Sequence, residues 1–334
     1  ILTNNGKYDG IIIKYNKRGD VEWAKSIGET GNEYINSVVS TSDNGYIVGG
    51  SFSSDNIDLG NGYNLTNKGN SDGMVIKYDR KGDVEWKNEI GGSRADSITS
   101  IIETFDGKYI VGGQFNSESL DLSDGVKVVT KTAQNMCEGD LPDGIIIKYD
   151  KLGKIEWVKD IGGDYNDEIN NIIRTTDGGF AVVGSFNSMA LDLGDIVLTN
   201  NDKRSAGEGR DGLIIKYDSN DILEWAKSMG GKETDVITTI VERNDGNYIA
   251  GGYFDSPTFE IDGKALTNIQ SDSYKESYSN NIRSDGMLLK ITNKTGIPEV
   301  QELNIYNKRK EFEITTDVKE IDNIKGGFIS GEDK

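Results

Sequence analysis

The chain has no histidine among its 334 residues. That removes imidazole general bases, Ser-His-Asp and Cys-His nucleophilic schemes, and the usual imidazole metal sites. A single cysteine, Cys137, excludes an internal disulfide and leaves no mark of a redox compartment. No apolar run approaches the ~18 residues that a spanning helix needs. No signal-like segment is visible, and the chain opens mid-repeat without a methionine, so an excised part of a longer protein is expected. Basic residues are short: 37 Lys and Arg stand against 56 Asp and Glu, for a net charge of −19. Such acidity argues against nucleic acid and anionic membrane surfaces, and it favours divalent cations.

What is present is a repeat. The stretch Asp72 to Phe115 carries four strand signals, GMVIKY, DVEWKNEI, SITSIIET and YIVGGQF, separated by DRKG, GGSRAD and FDGK. Apolar and β-branched runs bounded by Gly and Asp clusters read as antiparallel β-structure. The same words recur. An Asp-Gly opening stands at Asp9, Asp72, Asp143, Asp211 and Asp285, and a Glu-Trp pair ends at Trp23, Trp86, Trp157 and Trp225. From opening to turn aspartate (Asp9 to Asp43, Asp72 to Asp106, Asp143 to Asp177, Asp211 to Asp245) the distance is 34 residues every time. The remaining segment, from turn aspartate to next opening, varies: 29, 37, 34 and 40 residues. A rigid unit with one elastic loop is how stacked supersecondary modules read.

With strands named A to D within each unit, complete units run over 33–91, 96–162, 167–230 and 235–303. Residues 1–27 supply only C and D, and 311–331 weakly repeat A and B through Gly326-Gly327-Phe328, which matches Gly178-Gly179-Phe180. Here the ruler slips, since Asp285 to Asp322 is 37 residues. The expected architecture is an all-β, five-bladed β-propeller with four-stranded antiparallel blades, one domain over 1–334. The two chain ends would share the last blade, hiding two sheet edges.

The repeat resembles the bacterial β-propeller repeat family often called SBBP. The likeness rests on Asp143-Gly144-Ile145-Ile146-Ile147-Lys148, Gly153, Gly162-Gly163, Asp167 and the hairpin around Asp177-Gly178, and it is strong over 9–290. It implies a secreted or surface-attached bacterial module, of the kind found inside larger adhesin-like proteins.

In such a blade the A–B and C–D turns share one face of the disk, and the B–C loops and D–A connections share the other. The second face varies and is the expected working face. Two acidic features crowd it. Glu33, Asp96, Asp167 and Asp235 follow the first glycine of each D–A connection (Gly28, Gly91, Gly162, Gly230) by five residues. They read either as a carboxylate ring for Ca²⁺ or a cationic ligand, or as caps on backbone N–H groups of each interblade turn. Asp58, Asp121, Asp192 and Asp262 in the B–C loops read either as Ca²⁺ ligands or as turn residues of small hairpins. The long loop 255–284 adds Tyr274, Tyr278 and Arg283, suited to stacking on a sugar or touching a protein. The tryptophans read as packing between blades. Lys14, Lys77, Lys148, Lys216 and Lys290, facing Glu22, Glu85, Glu156, Glu224 and Glu299, read as a cross-strand charge ladder.

No constellation is confined to one blade as catalysis would require. The expected function is a non-enzymatic extracellular or cell-surface binding module for a glycan or protein. It would be a monomeric part of a longer chain, with no required cofactor, Ca²⁺ as a stiffening ion, and no nucleic-acid or membrane partner. The alternatives are a carbohydrate-active hydrolase or lyase using carboxylates near the channel, and a structural spacer in a larger surface protein.

Overall fold

A computed structural model of the protein describes residues 2–129, 141–202, 209–261, 264–267, 285–291 and 298–299. Apart from one 3-10 turn at Ser123–Gly125, every regular element there is a strand. The chain opens with the hairpin β1 (Gly10–Tyr15) and β2 (Val21–Ile27). Next come β3 (Glu33–Ser40), β4 (Tyr46–Phe52), the short hairpin β5 (Asn56–Gly60) and β6 (Tyr63–Thr66), then β7 (Asp72–Tyr78) and β8 (Val84–Ile90). Strands β3-β4-β7-β8 form one four-stranded antiparallel sheet, and β5-β6 stands apart as its own small sheet.

The plan then repeats three times. The second unit holds β9 (Asp96–Glu103), β10 (Tyr109–Phe115), β11 (Ser119–Asp121), β12 (Lys127–Val129), β13 (Asp143–Tyr149) and β14 (Ile155–Ile161). The third holds β15 (Asp167–Arg174), β16 (Phe180–Phe186), β17 (Ala190–Asp192), β18 (Val197–Thr199), β19 (Asp211–Tyr217) and β20 (Leu223–Met229). The fourth holds β21 (Asp235–Glu242), β22 (Tyr248–Phe254), β23 (Thr258–Ile261), β24 (Lys264–Thr267), β25 (Asp285–Ile291) and β26 (Pro298–Glu299). Each B–C loop therefore folds into a hairpin of its own.

The apolar runs decide where these strands sit. β7, β13 and β19 are buried along their whole length, and β4, β10 and β16 nearly so. Continuous burial without alternation means a strand covered on both faces. The cover is the neighbouring sheet. Ile47, Val75 and Ile90 of the first sheet pack with Ile98, Val111 and Ile145 of the second, and Ile110, Ile146 and Ile161 of the second pack with Ile169, Val182 and Leu213 of the third. Two further cores join the third sheet to the fourth, and the opening hairpin to the first sheet. Repeated four-stranded antiparallel sheets packed face to face in series make a propeller-like architecture. The segment 311–331 expected to complete a fifth blade lies outside the described residues.

Two joints hold successive sheets together. The inner one is built on a β-bulge, which re-aims a side chain without ending the strand. Asn36, Thr99, Asn170 and Thr238 are each skipped in the pairing with the adjacent strand. Three of them reach the next sheet: Asn36 Nδ2 donates to the Ile98 carbonyl (2.8 Å), Thr99 Oγ1 to Ile169 (2.6 Å) and Asn170 Nδ2 to Ile237 (2.9 Å). The outer joint is the tryptophan. Trp23, Trp86, Trp157 and Trp225 lie against Tyr46, Tyr109, Phe180 and Tyr248 of the following sheet, with ring centroids 5.0–6.2 Å apart. Trp86 Nε1 also donates to the Lys151 carbonyl in the next C–D turn (3.1 Å).

The charge ladder needs correcting in one sheet. Lys14–Glu22, Lys77–Glu85 and Lys216–Glu224 pair across strands as expected, at 2.9, 2.8 and 2.9 Å. Lys148 instead grips both oxygens of Asp221 in the next sheet (2.9 and 2.7 Å), and Glu156 pairs with Lys108 (2.6 Å). The cause is local. Asp221 occupies the left-handed turn position held elsewhere by Gly19, Gly82 and Gly153, with φ of 64°, so a side chain is available there to reach across. In the last sheet Glu299 stands opposite Lys290, in the register position of Trp23, Trp86, Trp157 and Trp225.

Candidate functional site on the hairpin face

The four carboxylates of the D–A connections are buried at the first residues of β3, β9, β15 and β21. Asp96 Oδ1 accepts the N–H groups of Asn116 and Ser117 (3.0 and 3.2 Å), and Oδ2 accepts the Ser117 hydroxyl (2.7 Å) and the Gly92 N–H (2.9 Å). Asp167 repeats this with Asn187, Ser188 and Gly163, and Asp235 with Asp255, Ser256 and Gly231. Glu33 takes the Ser54 N–H (3.1 Å) and hydroxyl (2.7 Å), plus the Glu29 N–H (3.3 Å). A carboxylate has about four acceptor positions. In Asp96, Asp167 and Asp235 four donors from the turn and the following loop already engage them.

Beside each cap lies the aspartate that opens the C strand. Asp72 and Asp211 are fully buried; Asp72 Oδ2 takes the Lys68 N–H (3.1 Å) and Asp211 Oδ2 takes the Asn201 N–H (2.9 Å). Among the described residues, Oδ1 of each has no hydrogen-bond partner. The joint is tight enough that a Cβ on Gly230 would run into Asp211 Oδ1 and stand 2.9 Å from Asp235 Oδ2. Burial is the main force on these acids and disfavours their charged forms. It pushes Asp72, Asp167 and Asp211 up to about 7 and Asp235 up to about 6, and it raises Asp96. The neighbouring carboxylate raises Asp72 and Asp211 further.

The B–C hairpins roof these pairs. Ile57 and Leu65 anchor the first, Leu120 the second, Leu191 and Leu198 the third, Phe259 and Ile261 the fourth, all buried. Asp58 and Asp192 sit at the hairpin turns, where their Oδ1 atoms accept the N–H of Gly60 and Gly194 (both 2.8 Å). Asp121 stands 3.8 Å from Lys127 Nζ. Asp262, Tyr274, Tyr278 and Arg283 lie outside the described residues. Among the described residues, no three Asp, Glu or Cys side chains gather in a way that could hold a metal ion. The arrangement can therefore brace loops against the sheets and offer their outer edges to a partner.

Sequence reading missed the opening aspartates as partners of the caps. Their spacing from the caps (Asp72 to Asp96, Asp211 to Asp235) is 24 residues each time and was visible in the chain. It also missed the bulges, though a polar pair follows an isoleucine at 35–37, 98–100, 169–171 and 237–239.

No family model matches the chain. Over 115 residues, 34% of its length, it is 32% identical to the regulatory protein FlaEY of Caulobacter vibrioides. Over 155 residues, 44% of its length, it is 28% identical to the uncharacterized WD repeat-containing protein L264 of Acanthamoeba polyphaga mimivirus. The matched regions span only 12% and 11% of those relatives. A WD-repeat-containing relative and the repeated sheets agree on a propeller-like repeat protein. A crystal structure of a protein of unknown function from Bacteroides caccae covers 89% of this chain and 91% of its own, with 10% identity and a TM-score of 0.39.

Proposed function

We propose that this chain is a non-enzymatic binding module, a five-bladed propeller of the SBBP type exposed at a bacterial cell surface, which recognises a glycan or protein through its hairpin face. The carrying observation is how the carboxylates are used. Asp96, Asp167 and Asp235 each accept four hydrogen bonds from their own turn and loop. An acid engaged in this way braces a loop and is a poor nucleophile or proton shuttle. What differs from blade to blade is the roof: NIDLGNGYNLT, SLDLSDGVKV, ALDLGDIVLT and TFEIDGKALT over the four hairpins, together with the loop bearing Tyr274, Tyr278 and Arg283. Variable loops on a rigid scaffold are where recognition accumulates. In this reading residues 311–331 supply the inner strands missing beside residues 1–27. Calcium would act only as a stiffener near Asp58, Asp121, Asp192 and Asp262.

A glycan array and a panel of purified extracellular-matrix proteins, probed with the full chain and with Tyr274→Ala/Tyr278→Ala, test the proposal. Binding that is lost in the double variant supports it. Turnover of a polysaccharide abolished by a single carboxylate substitution would replace it with the hydrolase or lyase reading. Silence across both panels would favour a spacer. A melting curve unchanged between excess calcium and a chelator removes the metal from the scheme.

A further inference from the structure

The opening hairpin is half a sheet, and its inner edge has no strand beside it among the described residues. In complete sheets the residues matching Ile11, Ile13 and Tyr15 are at most 6% exposed (Met74, Ile76, Tyr78 and Met287, for example); here they are 55%, 41% and 57% exposed. The strand facing the gap tells the same story. Val38 of β3 is 60% exposed, whereas its counterparts Ile101, Ile172 and Ile240 are at most 3% exposed. Between the two walls lies a cavity of about 520 Å³, lined in part by Ile12, Ile13, Lys14, Val38 and Tyr46. Yet the hairpin is seated as the full sheets are. Tyr8 bridges in parallel to Asn32, as Ser71 does to Ala95. The slot is preformed, with Ile13 and Val38 on its walls, Ser40, Thr41 and Asn44 at its polar end, and a strand edge unpaired among the described residues that favours pairing with another strand.

The described sheets state what fits. In a B strand the first residue is aromatic (Tyr46, Tyr109, Phe180, Tyr248) and pairs with the C-strand tyrosine or its equivalent. The fourth is glycine in three sheets, where a Cβ would stand 2.6 Å from Ile101 or Ile172 of the next sheet in the cases of Gly49 and Gly112. The fifth is glycine in all four, because a Cβ there would strike the carbonyl of Tyr34, Ser97, Glu168 or Val236 beside the bulge. The seventh is a buried phenylalanine: Phe52, Phe115, Phe186 or Phe254.

The C-terminal segment satisfies this rule in its first half only. Phe328 supplies the aromatic and Gly331 the fourth-position glycine, while Ile314-Thr315-Thr316 offers an isoleucine and polar pair 14 residues before the aromatic, against 11 in the four sheets (Ile35 to Tyr46, for example). Glu332 then stands where glycine is required, and Lys334 where phenylalanine is. We propose that residues 328–331 fill the slot against β1 with Phe328 opposite Tyr15 and Gly331 opposite Ile12, and that pairing stops there. The seam of the ring is thus half closed, with Ile11 and Gly10 left at an open end. The inference rests on the ring closure proposed above.

The test uses the full chain with Cys137→Ser. Ile13→Cys with Ser330→Cys should form a disulfide within one chain under mild oxidation, and Ile11→Cys with Ser330→Cys should not. Deleting 328–334 should speed amide exchange along Ile12–Tyr15 by about tenfold or more. Glu332→Gly should extend protection to Ile11. Exchange in β1 that ignores the deletion would overturn both this register and the ring. A deletion effect combined with a disulfide only at the 11–330 pair would overturn the register and leave the ring standing. Disulfides that form only between chains would show that the slot takes a second copy, and would overturn the assignment to the chain's own segment.

Discussion

Aspartates on the two faces of the sheets meet opposite fates. On the tight-turn face, Asp43 accepts the Thr41 hydroxyl (2.5 Å) and the Gly45 N–H (2.8 Å) and pairs with Lys77 (2.8 Å). Although burial works against it, these hydrogen bonds and the lysine hold Asp43 down at about 2, and Asp79, Asp106, Asp177, Asp218 and Asp245 are lowered too. On the hairpin face, burial dominates and pushes Asp72, Asp167 and Asp211 to about 7 and Asp235 to about 6. The lesson is about cover. One turn motif gives either a solvated, charge-assisted cap or a buried acid beside a second acid, depending on whether a hairpin lies over it.

The pH dependence of stability should show both faces at once, and it is the largest effect expected. An acid whose folded pKa is raised holds its proton while the unfolded chain releases its own. Its contribution is therefore fully present below the unfolded value of 3.8 and is lost as pH climbs towards the folded values of about 6 to 7. The lowered acids act in the other direction: their contribution is present above 3.8 and disappears as pH falls towards about 2 at Asp43. Stability should peak near about pH 4 and fall by several kcal/mol towards pH 8. Urea midpoints across that range measure it. Asp72→Asn should flatten the alkaline limb at little cost near neutrality. A profile flat from pH 5 to 8 would contradict the burial argument.

The next effect lies on the turn face, where Lys148 differs from Lys77. Lys77 is surrounded by Asp43, Glu85 and the Tyr78 carbonyl, at 2.8, 2.8 and 3.0 Å. Lys148 relies on Asp221, which also accepts Trp157 Nε1 (2.9 Å). Asp221→Ala should destabilise the fold by about 3 kcal/mol, since it strands a buried ammonium. Asp43→Ala should cost only about 1 kcal/mol, because Lys77 keeps two acceptors and Asp43 is half exposed. Equal losses would mean that Lys148 finds another acceptor.

How much of this was legible follows the range of each contact. The strands and their order came from the chain itself, because a constant Asp-to-Asp distance and runs such as GIIIKY and YIVGG are local signals. The capping role of Asp96 was one of two readings the spacing allowed, and the hydroxyl that engages it belongs to Ser117, 21 residues away, which no local pattern announces. Asp221 was not legible. Its turn, DSNDI, shows only that glycine is missing, and nothing local says that the aspartate will reach Lys148, 73 residues back. The pairing of Asp72 with Asp96 was hidden for a related reason. Each reads alone as a turn residue, and only the hairpin above them makes their proximity costly.

The smallest expected effect tests whether the turn face also keys one sheet to the next. Glu103 receives the Ser42 N–H and hydroxyl from the preceding A–B turn (2.8–3.0 Å), and Glu242 receives those of Thr176 (2.6 and 2.9 Å). In the joint between the second and third sheets the preceding turn offers Phe105. The position of Glu103 and Glu242 is filled there by Arg174, whose guanidinium lies 4.2 Å from the ring centroid and donates to the Glu103 carbonyl (3.3 Å). The hydroxyl partner is a carboxylate and the aromatic partner is a cation, as a ring's electron-rich face favours. Arg174→Glu alone should cost about 0.5–1 kcal/mol, since it sets an acid against Phe105. Adding Phe105→Ser should recover most of that loss, giving a favourable coupling in a double-mutant cycle. Additive losses would mean that the two residues merely share an exposed surface.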